Sequence, residues 1–260
     1  MKTRTLIAGY VLALALFLFA QRHPGSSPPT GFRSVVDLTH SIDASSPSLE
    51  PSGYAPDHLK PVVYIERSES PLGRGRSSFE TRIEAPARFA PALWAVDQIP
   101  AERLIAPLVV LDVSTKISGN PDYEISIDDI AQWEQQHGQI PLGAVVMART
   151  GWDERWASAK EYRNADLAGT THYPGYSDDA AKFLVHGRTA VGLGIDTLSV
   201  DRGASNGFPV RQYILAHSVY QLENVANLYH VPATGSVVVV APTKLASGSS
   251  GPVRILAMVR

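Results

Sequence analysis

The sequence predicts one mixed α/β domain. Short segments rich in β-branched residues recur along the chain, three stretches of helical spacing fall between some of them, and no repeat or second linker interrupts residues 35–260. At 260 residues, 44% hydrophobic and 18% charged, the chain can bury a full core within one domain.

The elements follow in order. Lys2 and Arg4 precede an apolar run from Leu6 to Ala20, and the chain then turns polar and rich in Pro, Gly and Ser. Such a run is short for a membrane span and suits a signal peptide over residues 1–20, with export to the periplasm or the exterior. Leu18 is large for the position before a cleavage site after Ala20, so an uncleaved anchor stays open. Residues 21–34 read as a linker, and the folded domain begins at Val35-Val36. Strands are expected at Pro61–Glu66, Phe79–Glu84, Leu108–Val113, Ala144–Ala148, Ala190–Ile195, Ser236–Ala241 and Val253–Val259. Ser126 with Asp129 forms a capping box ahead of Ile130 and Trp133, and Gly138 offers a stop. Ser177 caps a second helix that ends at Gly187. The spacing of Val219, Leu222, Val225, Ala226 and Tyr229 predicts a third. Gly248-Ser249-Ser250-Gly251 reads as a loop; no helix follows it, so it is no phosphate cradle.

Composition excludes several functions. The formal net charge is −2 and no basic run occurs, which argues against a nucleic-acid partner. Cysteine is absent, so disulfides, a thiol nucleophile and thiolate metal ligands are excluded.

Several stretches carry a family resemblance. They are Asp37-Leu38-Thr39-His40-Ser41-Ile42, Val96-Asp97-Gln98-Ile99-Pro100, Val109-Val110-Leu111-Asp112-Val113, Arg149-Thr150-Gly151-Trp152, Tyr173-Pro174-Gly175-Tyr176-Ser177, Gly192–Asp201 and Leu222–Leu228. In this order they resemble the cyclase family of metal-dependent hydrolases, which includes bacterial kynurenine formamidases. The resemblance implies a compact α/β fold with a barrel-like core of mixed strands and flanking helices, and assembly as a homo-oligomer. It also implies a divalent Zn or Mn ion that activates water to hydrolyse an amide, N-formyl group or lactone.

The family's signature is H-x-G-T-H-x-D-x-P-x-H, and here the corresponding residues run from Ser78 to Arg88. Ser78 stands where the first metal-binding His is expected and Arg82 where the second is. Glu84 replaces the Asp, and Arg88 the final His, which has a proton-transfer role in the family. A further His and Glu twelve residues apart correspond to Arg211 and Glu223. The chain therefore reads as a divergent member lacking most of the metal ligands. A guanidinium has no free lone pair and stays protonated, so it cannot ligate a cation. We therefore expect no metal and no other cofactor, and a small-molecule partner with room for an anionic one. Without the resemblance, Phe79, Thr81 and Ile83 alternating with Glu80, Arg82 and Glu84 describe a half-buried strand with a solvated charged face. With it, Arg82, Glu84, Arg88, Arg211 and Glu223 line a pocket, Arg82 and Arg211 lying close to Glu84 and Glu223 where the ion would be.

Other candidates are weaker. His217 lies midway between Arg211 and Glu223 and is a possible general base; His40 and His172 fall in matched stretches, while His58, His137, His186 and His230 do not. Ser78 as a nucleophile lacks an elbow motif. Three readings stay open: a metal-free hydrolase or lyase whose arginines hold an anion or an oxyanion, a non-catalytic binding protein on the same fold, and a relocated metal site built from Glu84, Glu223 and a nearby His.

Overall fold

The computed structural model describes residues 28–41 and 80–260. The expected export segment, the first half of the linker, the strand at Pro61–Glu66, His58, Ser78 and Phe79 lie outside the described residues. Residues Arg33–Arg260 form one compact unit.

Ten strands are present among the described residues: β1 (Ser34–Asp37), β2 (Arg82–Glu84), β3 (Ile105–Asp112), β4 (Glu124–Ile125), β5 (Val145–Arg149), β6 (Gly175–Tyr176), β7 (Gly192–Ile195), β8 (Tyr220–Glu223), β9 (Ser236–Pro242) and β10 (Ser250–Val259). The main sheet runs β1-β10-β2-β8-β7-β5-β3-β9, and β9 pairs back onto β10. Seven strands thus close into a barrel, with β1 laid along the last residues of β10. β3, β5, β7 and β8 run parallel, and the remaining barrel pairs are antiparallel. β4 and β6 make a separate two-stranded pair. This is the mixed, barrel-like core the family resemblance implies.

Alternation along the strands decides which side chains reach the site. In β3, Leu108 and Val110 fill the barrel while Val109 and Leu111 face the helices; in β5, Val145 and Met147 point in and Val146 and Ala148 out. β7 is Gly192-Leu193-Gly194-Ile195, with its glycines on the inner side. A Cβ on Gly192 would sit 2.3 Å from the ring of Tyr220, so the glycine makes room for that buried ring. β8 places Tyr220 and Leu222 inside, and β2 places Ile83 inside. Arg82, Glu84, Gln221 and Glu223 are therefore left together on the outer face.

The helices are α1 (Ile127–His137), α2 (Ala159–Arg163), α3 (Asp178–Lys182) and α4 (Pro209–Ala216). Ser126 and Asp129 form the capping box of α1, and Gly138 stops it with φ 84°. Ser177 caps α3, which runs on through a wider turn to Gly187. The expected helix over 219–229 is absent: its first residues are strand β8, followed by Asn224 and Asn227 in left-handed conformations that break any helix. The helix in this region is α4, which opens on Pro209 and ends at Ala216, before the expected start. Ser250 and Gly251, expected in a loop, begin β10 and pair with Glu84 and Ile83.

Candidate functional site

β2 and β8 are antiparallel neighbours in which Arg82 faces Glu223 and Glu84 faces Gln221. All four side chains are buried on the outer barrel face. Past β2 the chain turns through Pro86–Arg88, and the first turn of α4 packs against this turn, bringing Arg88 and Arg211 over the same spot. On the other side of β2, Ser250 of β10 is the register partner of Glu84.

Glu84 is the hub. Arg88 Nε lies 3.1 Å from its Oε1, and Arg211 Nη1 lies 3.5 and 3.4 Å from its two oxygens. Arg211 Nη2 also donates to Ser199 Oγ at 3.3 Å, and its guanidinium lies 4.3 Å from the Phe208 ring. Among the described residues Arg82 makes no hydrogen bond to a carboxylate; its Nη2 donates to Ser250 Oγ at 2.8 Å, which Arg88 Nη1 reaches at 3.5 Å. The Gln221 amide donates to Glu223 Oε1. Asp201 sets the start of α4, accepting the backbone N–H groups of Val210 at 2.8 Å and Arg211 at 3.1 Å.

Charge follows from this packing. Burial, the nearby Glu84 carboxylate and the opposing pull of three arginines leave the Glu223 pKa pushed up to about 8. Burial works against the Arg211 cation, but Glu84, Glu223 and Asp201 together outweigh it and raise its pKa. The Tyr173 hydroxyl is raised by burial and by Glu223. Two guanidinium donors, Arg82 Nε and Arg211 Nε, and the acceptor Gln221 Oε1 are buried without a hydrogen-bond partner among the described residues. Such groups are costly unless something satisfies them.

The structure thus brings together Arg82, Glu84, Arg88, Arg211 and Glu223. It does not bring His217 there, which corrects that assignment. His217 lies exposed at the far end of α4, its Nδ1 2.8 Å from the Tyr213 carbonyl and its ring against Tyr213 and His186. The expectation for Arg82 is corrected in part, since Ser250 and not a carboxylate holds its guanidinium. The chain sequence alone missed Ser250, Gln221, Ser199 and Asp201. The last two lie in the Gly192–Asp201 stretch that carried the resemblance, but Ser250 had no signal beyond its place in a supposed loop.

The other matched histidines also have structural settings. His172 Nδ1 lies 2.7 Å from Asp122 Oδ2, while its Nε2 lies 3.6 Å from Asp166. His40 stacks on Trp156 with ring centroids 3.7 Å apart, and burial pushes its pKa from 6.5 down to about 4. The folded state therefore holds His40 neutral where the unfolded chain would protonate it. Its stability contribution is whole above the unfolded pKa and is lost as pH falls from 6.5 toward 4, by at most ~3 kcal/mol. His40→Phe is expected to keep the stack and flatten melting temperature against pH across that window. An unchanged acid limb would assign the loss elsewhere.

A divalent cation fits this donor set poorly. Arginine supplies no lone pair, and Arg211 and Arg88 already occupy the oxygens of Glu84. Among the described residues, no group of three or more His, Asp and Glu side chains is arranged to hold a metal. A cleft of about 560 Å³ lies elsewhere, at the ends of β3 and β5 between Arg149, Trp152, Glu154, Arg155 and Asn164, and none of the five clustered residues lines it.

The "Putative cyclase" family model matches residues 36–202. The chain belongs to the cyclase family. This cyclase-family protein is 35% identical over 167 residues to an isatin hydrolase of Roseibium aggregatum, a match covering 63% of each chain. Among solved structures it superposes on isatin hydrolase A from Labrenzia aggregata bound to benzyl benzoate with a TM-score of 0.71 at 32% identity, covering 87% of this chain and 93% of that one. An isatin hydrolase bound to the product analogue thioisatinate gives a TM-score of 0.72 at 30% identity, with 87% and 92% covered. These relatives support a hydrolase-like function for the family member described here.

Proposed function

We propose that this protein hydrolyses a small amide, N-formyl or lactone substrate bearing a negative charge, and does so without a divalent metal at Glu84 and Glu223. The observation that carries this reading is the balance of the buried cluster. Two guanidinium groups pair with Glu84 and a third, Arg82, sits on the same strand face held by Ser250; Glu223 holds its proton up to about pH 8, and two arginine N–H donors are unspent. A cluster of that sign attracts an anion, and fixed guanidinium donors in a water-poor setting stabilise charge developing on a carbonyl oxygen. Thioisatinate and benzyl benzoate, bound by relatives, make cyclic amides and aromatic esters reasonable first compounds to assay.

The test is turnover of isatin, an N-formyl aromatic amine and a lactone by protein dialysed against chelator. Activity is expected to survive dialysis within about twofold, and Arg82→Met to lower kcat/KM by on the order of 100-fold through loss of one donor. A requirement for added Zn or Mn would overturn the metal-free reading. Binding of these compounds or their acid products without turnover would favour the alternative, a non-catalytic binding protein. That alternative draws on Arg88, which stands where the family has its proton-transferring His.

A further inference from the structure

We infer that the Arg211 guanidinium is the resident cation of this site, standing in the place the family gives to its metal. The inference rests on the metal-free reading above, and its test measures metal and stability, so failure to find a substrate leaves it intact. Arg211 Nη1 faces both oxygens of Glu84 at nearly equal distances, 3.5 and 3.4 Å, as a point cation would. It is held there from two directions. Ser199 Oγ accepts from Nη2 at 3.3 Å, and Asp201 fixes the backbone N–H of Arg211 at 3.1 Å. Only 12% of its side chain is exposed, against 3% for Glu84, so solvent does little to screen the pair. Glu223 on the neighbouring strand lies within the same field, and the arginines lower its pKa against burial and Glu84. The buried Glu84 carboxylate needs a cation beside it, and the second carboxyl group, Glu223, keeps its proton instead of adding another bare charge. Here the chain supplies one covalently.

The two neighbouring arginines have different duties. Arg88 braces one oxygen of Glu84 at 3.1 Å from a position 28% exposed, and Arg82 is tied to Ser250. If Arg211 replaces an ion, restoring neutral imidazoles should restore the ion's site. Position 82 shares its strand face with Glu84 and is the register partner of Glu223, so a histidine there joins both carboxylates. A histidine at 211 approaches from α4.

The experiment is Arg82→His/Arg211→His in the full chain, dialysed and analysed for Zn and Mn beside wild type. One ion per double-variant chain, less than about 0.1 per wild-type chain, and a chelator-induced drop of several degrees in melting temperature in the variant alone are expected. A folded double variant without metal, or wild type carrying stoichiometric metal, overturns the inference. Should the double variant not fold, Arg211→Lys is compared with Arg211→Met by melting temperature. A resident cation predicts that lysine retains most of the stability that methionine loses, and equal losses refute it.

Discussion

Glu84→Gln is expected to destabilise the protein by about 3–5 kcal/mol, although it alters a single atom of a buried side chain. Glu84 is 2% exposed and is the acceptor for both Arg88 and Arg211. A neutral amide leaves two guanidinium groups without their shared counter-charge, and its own NH₂ is turned toward cationic donors. Exposed pairs would cost only about 0–1 kcal/mol, so the size of the effect reports burial. Glu223 offers partial compensation. Removing the neighbouring charge takes away one of the causes that hold its pKa near 8, so in the variant that pKa falls and Glu223 becomes the remaining anion. The loss should therefore be smaller at pH 9 than at pH 6. Adding Arg211→Met to Glu84→Gln should recover part of the loss, because the double change removes both members of the pair. Urea unfolding of the two single variants and the double gives the coupling energy directly. Additive losses would mean that the contacts at 3.4 and 3.5 Å carry no energy and that the cluster is a solvated charged face.

How much of this was legible in the chain depends on how local each cause is. The capping box of Ser126 and Asp129 and the stop at Gly138 act within a few residues, and α1 follows them. β3, β5, β9 and β10 announce themselves as β-branched runs. β8 does not, because Val219, Leu222, Val225 and Ala226 happen to match helical spacing while the period that matters is Tyr220 and Leu222 inward, Gln221 and Glu223 outward. α4 is hidden for a different reason. Phe208, at its start, has no side-chain cap to offer, and Asp201 from the preceding loop caps it instead. The site repeats this pattern. Arg82 and Glu84 alone describe an ordinary amphipathic strand, and only the family resemblance pointed them at Arg211 and Glu223. Ser250 comes from a strand 168 residues away in sequence from Arg82, joined by register, which no local signal encodes.

The same long-range logic explains why a carboxylate outside the cluster should matter nearly as much to its geometry. Asp196→Ala is expected to cost on the order of 3–5 kcal/mol and to loosen the strand that carries Glu223. Asp196 is fully buried and accepts the backbone N–H groups of Thr150, Gly151 and Trp152 at 2.9, 2.8 and 3.2 Å, together with the Thr150 hydroxyl at 2.6 Å. Alanine would orphan the Thr150 and Gly151 amides and the Thr150 hydroxyl at once, and leave the Trp152 amide only its 3.3 Å contact with Thr150 Oγ1. The turn they form seats Trp152, whose indole N–H donates to the Tyr162 carbonyl at 2.8 Å. Tyr162 in turn donates within reach of the Asp196 carbonyl at 2.9 Å and Asn224 Oδ1 at 2.8 Å, and Asn224 directly follows Glu223. Asn224 also ties back to β2, its carbonyl accepting the Thr81 hydroxyl at 2.6 Å beside Arg82. Asp196→Asn keeps one acceptor oxygen and the volume, so it should cost roughly half as much. Hydrogen exchange separates a local from a global effect. If the network is continuous, the amides of Thr150–Trp152 and of Leu222–Asn224 lose protection together in Asp196→Ala, well below the denaturant concentration of global unfolding. Loss confined to Thr150–Trp152 would show that the turn and the arginine cluster are independent, and that Asp196 supports only its own corner of the fold.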